Sequence, residues 1–258
     1  MMVRKKIHFC YDIEWLLSRP IAHRGYHTGD ALCPENSLAA FEEALGRGFL
    51  IELDVRLLKD GGVAVLHDEN TFRMTGIDSE IEDLVSSDLK SFTLLGSHEH
   101  IPLLEEALDL MKGRTPLLLE IKNSKNAGVL EEGVAEALQR YEGRCAVQSF
   151  NPRSLRWFRE RFPGVPRGQL SGTLEDLDIG FFKGLVLKKL LVNCISAPHF
   201  VCYESCMLPN LPARIVRDHG TPVIAWTVRS QEERNRVRAF CDNIIFEGFD
   251  PRPAFGER

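Results

Sequence analysis

From Arg19 onward, short apolar runs alternate with longer stretches in which apolar residues return every third or fourth position. The first pattern suits a strand and the second an amphipathic helix. Strands are predicted over 20–24, 49–55, 63–67, 116–122, 145–150, 166–170, 200–203, 222–228 and 243–246. Helices are predicted over 37–47, 103–111, 129–140, 152–161, 211–219 and 230–240. Several open on a start signal, namely Asn36-Ser37, Asn151-Pro152, and Ser230 with Glu233 as its capping-box partner. Strand-then-helix order repeated along most of the chain implies an α/β fold with a parallel sheet. No glycine-rich phosphate loop follows the first strand, where His23-Arg24-Gly25-Tyr26-His27 stands instead. That absence favours a TIM (β/α)₈ barrel over an open dinucleotide-binding sheet.

Nine strands are one too many for such a barrel. The surplus is explained at Asp60-Gly61, a hairpin signal between two apolar runs, whose arms cannot both be parallel neighbours. With those two residues as the loop, Val55 faces Leu66 and Asp54 faces His67. Glu52, Asp54 and His67 then share one side of the ribbon. A three-residue loop that takes in Gly62 would set Asp68 opposite Asp54 instead. Residues 69–100 are polar and weakly periodic, and are predicted to be a small insertion after His67-Asp68. Without repeats, low-complexity segments or a linker, the chain is expected to be one domain over 1–258.

Composition changes this picture little. The 258 residues, 44% apolar and 27% charged, can bury a large core. A net charge of -5 gives no reason to expect nucleic acid as a partner. Seven irregularly spaced cysteines with no C-x-x-C pair suggest reduced thiols, not a disulfide framework or zinc site. The basic start (1–6) is followed by Asp12 and Glu14, which spoil a secretory leader, and no apolar run reaches the ~18 residues of a membrane span. A cytoplasmic protein without stable membrane insertion is expected. Within 181–192, Phe181, Phe182, Leu185, Leu187, Leu190 and Leu191 accompany Lys183, Lys188 and Lys189. An outer barrel helix is the first reading of that stretch, and weak docking on anionic lipid the second. The oligomeric state is not legible.

Polar residues gather at the C-terminal ends of the predicted strands, which form the active-site face of a barrel. His23 and Arg24 end the first, Glu52 and Asp54 the second, His67 and Asp68 the hairpin's return, and Glu120 and Lys122 the next. Two unpaired carboxylates amid a buried run such as 49–55 cost several kcal/mol each unless a cation offsets them. Glu52, Asp54 and Glu120 make an all-oxygen set suited to one Mg²⁺ or Ca²⁺ ion. Two histidines can serve as general acid and base, and Arg24 and Lys122 complement a phosphate. Together these groups suit displacement at phosphorus. Gln148 is read as satisfying backbone. The remaining histidines, His27 among them, show no ligand spacing and are read as surface or structural.

His23-Arg24-Gly25, Pro34-Glu35-Asn36, Glu52-x-Asp54, His67-Asp68, Glu120-x-Lys122, Gln148-Ser149-Phe150 and Trp226-Thr227-Val228 resemble, in order, the motifs of glycerophosphodiester phosphodiesterases. The likeness covers about 21–249. It implies a TIM barrel with a characteristic insertion, a divalent cation on Glu52, Asp54 and Glu120, and His23 and His67 as the acid/base pair. It further implies phosphate contacts from Arg24 and Lys122, with Trp226 lining the pocket for the alcohol. The implied substrate is a small glycerophosphodiester, cleaved to an alcohol and glycerol 3-phosphate in glycerol and lipid metabolism. A lysophospholipase D acting on lipid is the first alternative, and a silent barrel that only binds a phosphorylated ligand the second. Arg229, where the family's usual residue is Asn, and Phe246-Glu247, in place of Thr-Asp, depart from the pattern. Both are expected to bear on alcohol specificity and to touch neither the metal nor the proton-transfer residues.

Overall fold

Period-two alternation gives each strand an inner and an outer face, and here both are covered. A computed structural model describes residues 12–123, 126–173 and 181–252; the basic start at 1–6 lies outside them. In chain order the elements are α1 (Glu14–Leu17), β1 (Ile21–Ala22), α2 (Leu38–Arg47), β2 (Leu50–Leu57), β3 (Val63–Val65), α3 (Phe72–Thr75), α4 (Leu104–Met111), β4 (Leu117–Ile121), α5 (Val129–Gln139), β5 (Cys145–Ser149), α6 (Pro152–Arg161) and β6 (Arg167–Ser171). There follow α7 (Phe181–Lys188), α8 (Asn193–Ser196), β7 (Phe200–Glu204), α9 (Leu211–Asp218), β8 (Val223–Val228), α10 (Gln231–Val237) and β9 (Asn243–Phe246). Eight parallel strands run β1-β2-β4-β5-β6-β7-β8-β9 and close where β9 returns to β1, a TIM barrel.

Outward residues such as Ile51, Leu53, Val55, Leu117 and Leu119 pack against the helices, while Leu50, Leu118, Ala146, Phe200, Cys202 and Ile224 fill the barrel. The short helix α1 had no sequence prediction. It puts Trp15 and Leu16 into the inner cluster, and Asn243 ties it down by donating Nδ2 to the Leu16 and Arg19 carbonyls. Gly168 makes room for Phe200, since a Cβ there would lie 2.1 Å from the Phe200 ring. Ser37, Asn151 and Ser230 accept from a first-turn backbone N–H as their start signals predict, although Glu233 reaches back to Arg229 N and not to Ser230 N. Asn210, which carried no such prediction, caps α9 in the same way.

β3 is the surplus strand, antiparallel to β2 and bridged from Ala64 to Leu103, but its register corrects both sequence readings. Val55 pairs with Val65 and Leu57 with Val63, so Leu66, not His67 or Asp68, comes opposite Asp54. The loop is Lys59-Asp60-Gly61, closed by the Leu58–Gly62 backbone bond, with Gly61 at φ 89°. A three-residue loop of this kind needs a left-handed last residue, and Gly supplies it. Asp60 fixes the choice by accepting from Gly62 N at 3.1 Å and from Ser86 N at 2.8 Å. His67 therefore lies beyond the end of β3, and strand alternation does not aim its side chain.

Between β3 and α4 the chain forms α3 and three 3₁₀ turns around a small apolar cluster that includes Leu66, Met74, Ile81, Leu89, Phe92 and Ile101. The stretch at 181–192 contains α7, an outer helix as first read. Leu187 and Leu190 are buried, while Phe182 and Leu191 are 80% and 58% exposed. The Phe181 side chain lies outside the described residues.

Candidate active site

Residues two apart on a strand share a face. β2 therefore sends both Glu52 and Asp54 inward, and the parallel register sets Asp54 beside Glu120 of β4. Ligand oxygens of Glu52, Asp54 and Glu120 all lie within 4.8 Å of one another, and all three residues are buried. Burial, together with the Asp54 and Glu120 charges, pushes the Glu52 carboxyl well above its usual range. Burial acts on Asp54 in the same direction, but Lys122, His67, Arg24 and His23 outweigh it and hold that carboxyl far below its ordinary value. One oxygen, Asp54 Oδ1, is buried without a hydrogen bond. Three carboxylates crowded together out of water, one of them with an oxygen that no hydrogen bond satisfies, fit a hard divalent cation.

Asp54 and Glu52 are held by groups to which sequence reasoning gave no such role. Asn36 Nδ2 donates to Asp54 Oδ2 at 2.9 Å, and Gln148 Nε2 donates to Glu52 Oε1 at 3.2 Å. Glu52 Oε2 accepts from Arg24 N at 3.0 Å. The two expected phosphate ligands border the same cluster. Arg24 Nε lies 3.2 Å from Asp54 Oδ2, and Lys122 Nζ lies 2.7 Å from Glu120 and 3.4 Å from Asp54. Burial alone would lower the Lys122 pKa, but the Glu120 and Asp54 charges raise it, so this ammonium stays charged. Arg24 and Gly25 both have positive φ, and a Cβ on Gly25 would lie 2.8 Å from Ala40. The turn after β1 thus needs glycine to press against α2.

Each histidine is backed by a carboxylate. His23 Nδ1 lies 2.5 Å from Glu247 Oε2, and His67 Nδ1 lies 2.7 Å from Asp68 Oδ1. Burial favours the protonated acid at Asp68 and Glu247, yet hydrogen bonds from His67 and Arg73 to the first, and the hydrogen bond from His23 with His27 and Arg229 close by for the second, hold both well below the usual range. Ionised carboxylates only accept, so both imidazoles carry their proton on Nδ1 and leave Nε2 for exchange. Burial and the Arg24 charge lower the His23 pKa to about 4, against the pull of Glu247.

Arginines hold the far side of each carboxylate. Arg73 Nε donates to Asp68 Oδ2 at 2.5 Å and Arg229 Nε to Glu247 Oε1 at 2.7 Å. Glu35 joins Arg73 to Arg24, accepting from them at 2.6 and 2.7 Å. The expectation that Arg229 and Glu247 stay clear of the proton-transfer residues is overturned: both belong to the surroundings of His23. The signal was available in the barrel topology. Closure brings β1, β8 and β9 side by side, so the residues after each strand meet across 224 positions of chain. Trp226 lies on the inner side of β8 against Phe150, with Nε1 donating to Ser171 O at 3.2 Å.

Residues 23–246 match the glycerophosphoryl diester phosphodiesterase family. The chain is 31% identical over 244 residues to a glycerophosphodiester phosphodiesterase of Caldanaerobacter subterraneus subsp. tengcongensis, covering 87% of this chain and 92% of that one. It is 36% identical over 138 residues to a lysophospholipase D of Homo sapiens, which is 48% of this chain and 42% of the other. The barrel is similar in fold to an Oleispira antarctica phosphodiesterase solved with its product sn-glycerol-3-phosphate, with a TM-score of 0.75 at 23% identity over 90% of this chain and 93% of that one.

Proposed function

The chain belongs to the glycerophosphoryl diester phosphodiesterase family and is a phosphoric diester hydrolase acting on glycerophosphodiesters, and from that premise we propose the parts its residues play. Glu52, Asp54 and Glu120 would hold one divalent cation, Mg²⁺ or Ca²⁺, as oxygen donors of this charge and number favour. Such an ion supplies positive charge to the phosphoryl oxygens as the transition state gathers negative charge. Arg24 and Lys122 bind the same phosphate through fixed cations beside the cluster. Trp226 lines the side of the mouth that receives the alcohol.

Nε2 of one histidine takes the proton of the attacking hydroxyl, so that the new P–O bond forms as the ester P–O bond breaks. The other histidine, protonated, gives its Nε2 proton to the departing alkoxide. An alcohol and glycerol 3-phosphate result. Whether water or a hydroxyl of the substrate attacks first is read by ³¹P NMR, which detects or excludes a cyclic phosphate. The observation that carries this reading is the meeting of the acidic triad with two carboxylate-backed imidazoles. Its test is turnover of sn-glycero-3-phosphocholine with Mg²⁺ or Ca²⁺, with and without chelator. His67→Ala is expected to lower kcat by about 100-fold or more, and an unchanged rate would overturn the acid/base assignment.

A lysophospholipase D activity on lipid is the second reading. Exposed Phe182 and Leu191 beside exposed Lys183 and Lys189 favour it, as does the partial likeness to the human enzyme. A requirement for an acyl chain and for liposomes would establish it. We further propose one domain acting in a reducing compartment, the cytoplasm, as the cysteine spacing suggests. No helix among the described residues is long and apolar enough to cross a membrane.

A further inference from the structure

Glu247 is a shared carboxylate. Its Oε2 lies 2.5 Å from His23 Nδ1 and 3.8 Å from His27 Nε2, while its Oε1 accepts from Arg229 Nε at 2.7 Å. His27 is largely buried, and neither of its ring nitrogens has a hydrogen-bond partner. A cavity of about 230 Å³, lined by Gly25, His27, Thr28, Phe246 and Glu247, gives the carboxylate room to turn. Two imidazoles thus compete for one acceptor, and a buried ring with no partner gains about as much from capturing it as His23 loses. Arg229, 64% exposed, touches only the far oxygen. Pulling on Oε1 from the β8 side fixes the carboxylate plane, and with it which ring Oε2 faces.

We infer that Glu247 is the positioning residue for His23, and that Arg229 holds it on His23 and away from His27. In this arrangement Glu247 keeps the His23 proton on Nδ1 and aims Nε2 at the phosphoryl group, without touching substrate itself. A neutral amide in its place could donate to Nδ1 and so favour the wrong tautomer, the kind of loss known to be large in hydrolases with a carboxylate behind histidine.

The experiment measures kcat and KM for sn-glycero-3-phosphocholine with Mg²⁺. Glu247→Gln is expected to lower kcat by about 100-fold or more with KM within about threefold, because only the proton-transfer step is affected. In a His23→Ala background the same substitution should cost nothing further, since residues acting as a unit are not additive. Arg229→Ala is expected to lower kcat by about tenfold, and Arg229→Lys to restore most of it. His27→Asn alone should leave kcat within about twofold, yet recover much of the Arg229→Ala loss by removing the competitor. The inference is overturned if Glu247→Gln changes KM alone, if it slows the His23→Ala enzyme further, or if His27→Asn deepens the Arg229→Ala defect. Should Glu247→Gln fail to fold, the exposed Arg229 series decides by itself. The inference rests on His23 as a proton-transfer group, and the two can fail separately. Full activity in His23→Ala removes that assignment, whereas full activity in Glu247→Gln beside an inactive His23→Ala removes the positioning role only.

Discussion

Asn36 grips Asp54 twice, donating from Nδ2 to the carboxylate and accepting at Oδ1 from the Asp54 backbone N–H at 3.3 Å. It does so from φ 54°, a left-handed conformation that Asn tolerates better than most residues. The grip leaves the other oxygen, Oδ1, 3.4 Å from Lys122 Nζ and without a hydrogen bond. Asn36→Ala removes a hydrogen bond to a buried charge, worth about 1.5–3 kcal/mol, and leaves a side chain in strained backbone at a further ~1–2 kcal/mol. Asn36→Gly separates the two effects. In thermal melts Gly should recover part of the stability lost with Ala, while both variants turn over about tenfold more slowly with Mg²⁺. Equal kcat for Gly and wild type would mean that the side chain does not orient Asp54. Pro34-Glu35-Asn36 was visible as a motif, but this role was not, because the bond crosses 18 residues from a loop to a strand interior. Glu52, Asp54 and Glu120 were legible for the opposite reason: carboxylates in otherwise apolar runs contradict their surroundings locally.

At the scale of elements, the strands and most helices were legible because burial on two faces leaves a periodic trace. The hairpin register was not. Asp-Gly foretold the turn, but which residues form it depends on the Asp60 side chain reaching Gly62 and Ser86, and Ser86 belongs to the insertion. The same segment carries Arg73 on α3, which connects the His67-Asp68 pair to Glu35 and so to Arg24 on the barrel. That connection supports His67, which lies past the end of its strand. Arg73 is half-exposed, so its ion pairs contribute little to stability. Arg73→Ala should therefore melt within about 2 °C of wild type yet lose kcat about tenfold as His67 and Asp68 gain freedom. A large fall in melting temperature with unchanged kcat in the surviving native protein would show that Arg73 holds the fold and not the imidazole.

For the whole molecule, the barrel mouth sets three buried carboxylates against two partly buried cations, Arg24 and Lys122, and the imbalance weighs on the fold until a divalent ion enters. Burial and like charge disfavour ionised Glu52, so neutralising it should stabilise the ion-free protein and weaken the ion-loaded one. Glu52→Gln keeps the shape, and Gln148 can accept from the new amide by turning, since its Oε1 is buried with no present partner. In chelator the variant should melt higher than wild type, by about 2–4 °C for each kcal/mol of repulsion relieved. Saturating Mg²⁺ should then reverse the order. At 100 times its dissociation constant the ion stabilises a site that holds it by about 2.7 kcal/mol, roughly 5–10 °C in a domain of this size, and the variant should lose most of that gain along with its turnover. Crossing melting curves are expected only if the carboxylates are arranged for a cation at a cost to the fold. Were wild type indifferent to Mg²⁺ and Ca²⁺, and Glu52→Gln the less stable in chelator, the acidic cluster would be a hydrogen-bonded structural network, with Glu52 protonated as a permanent member.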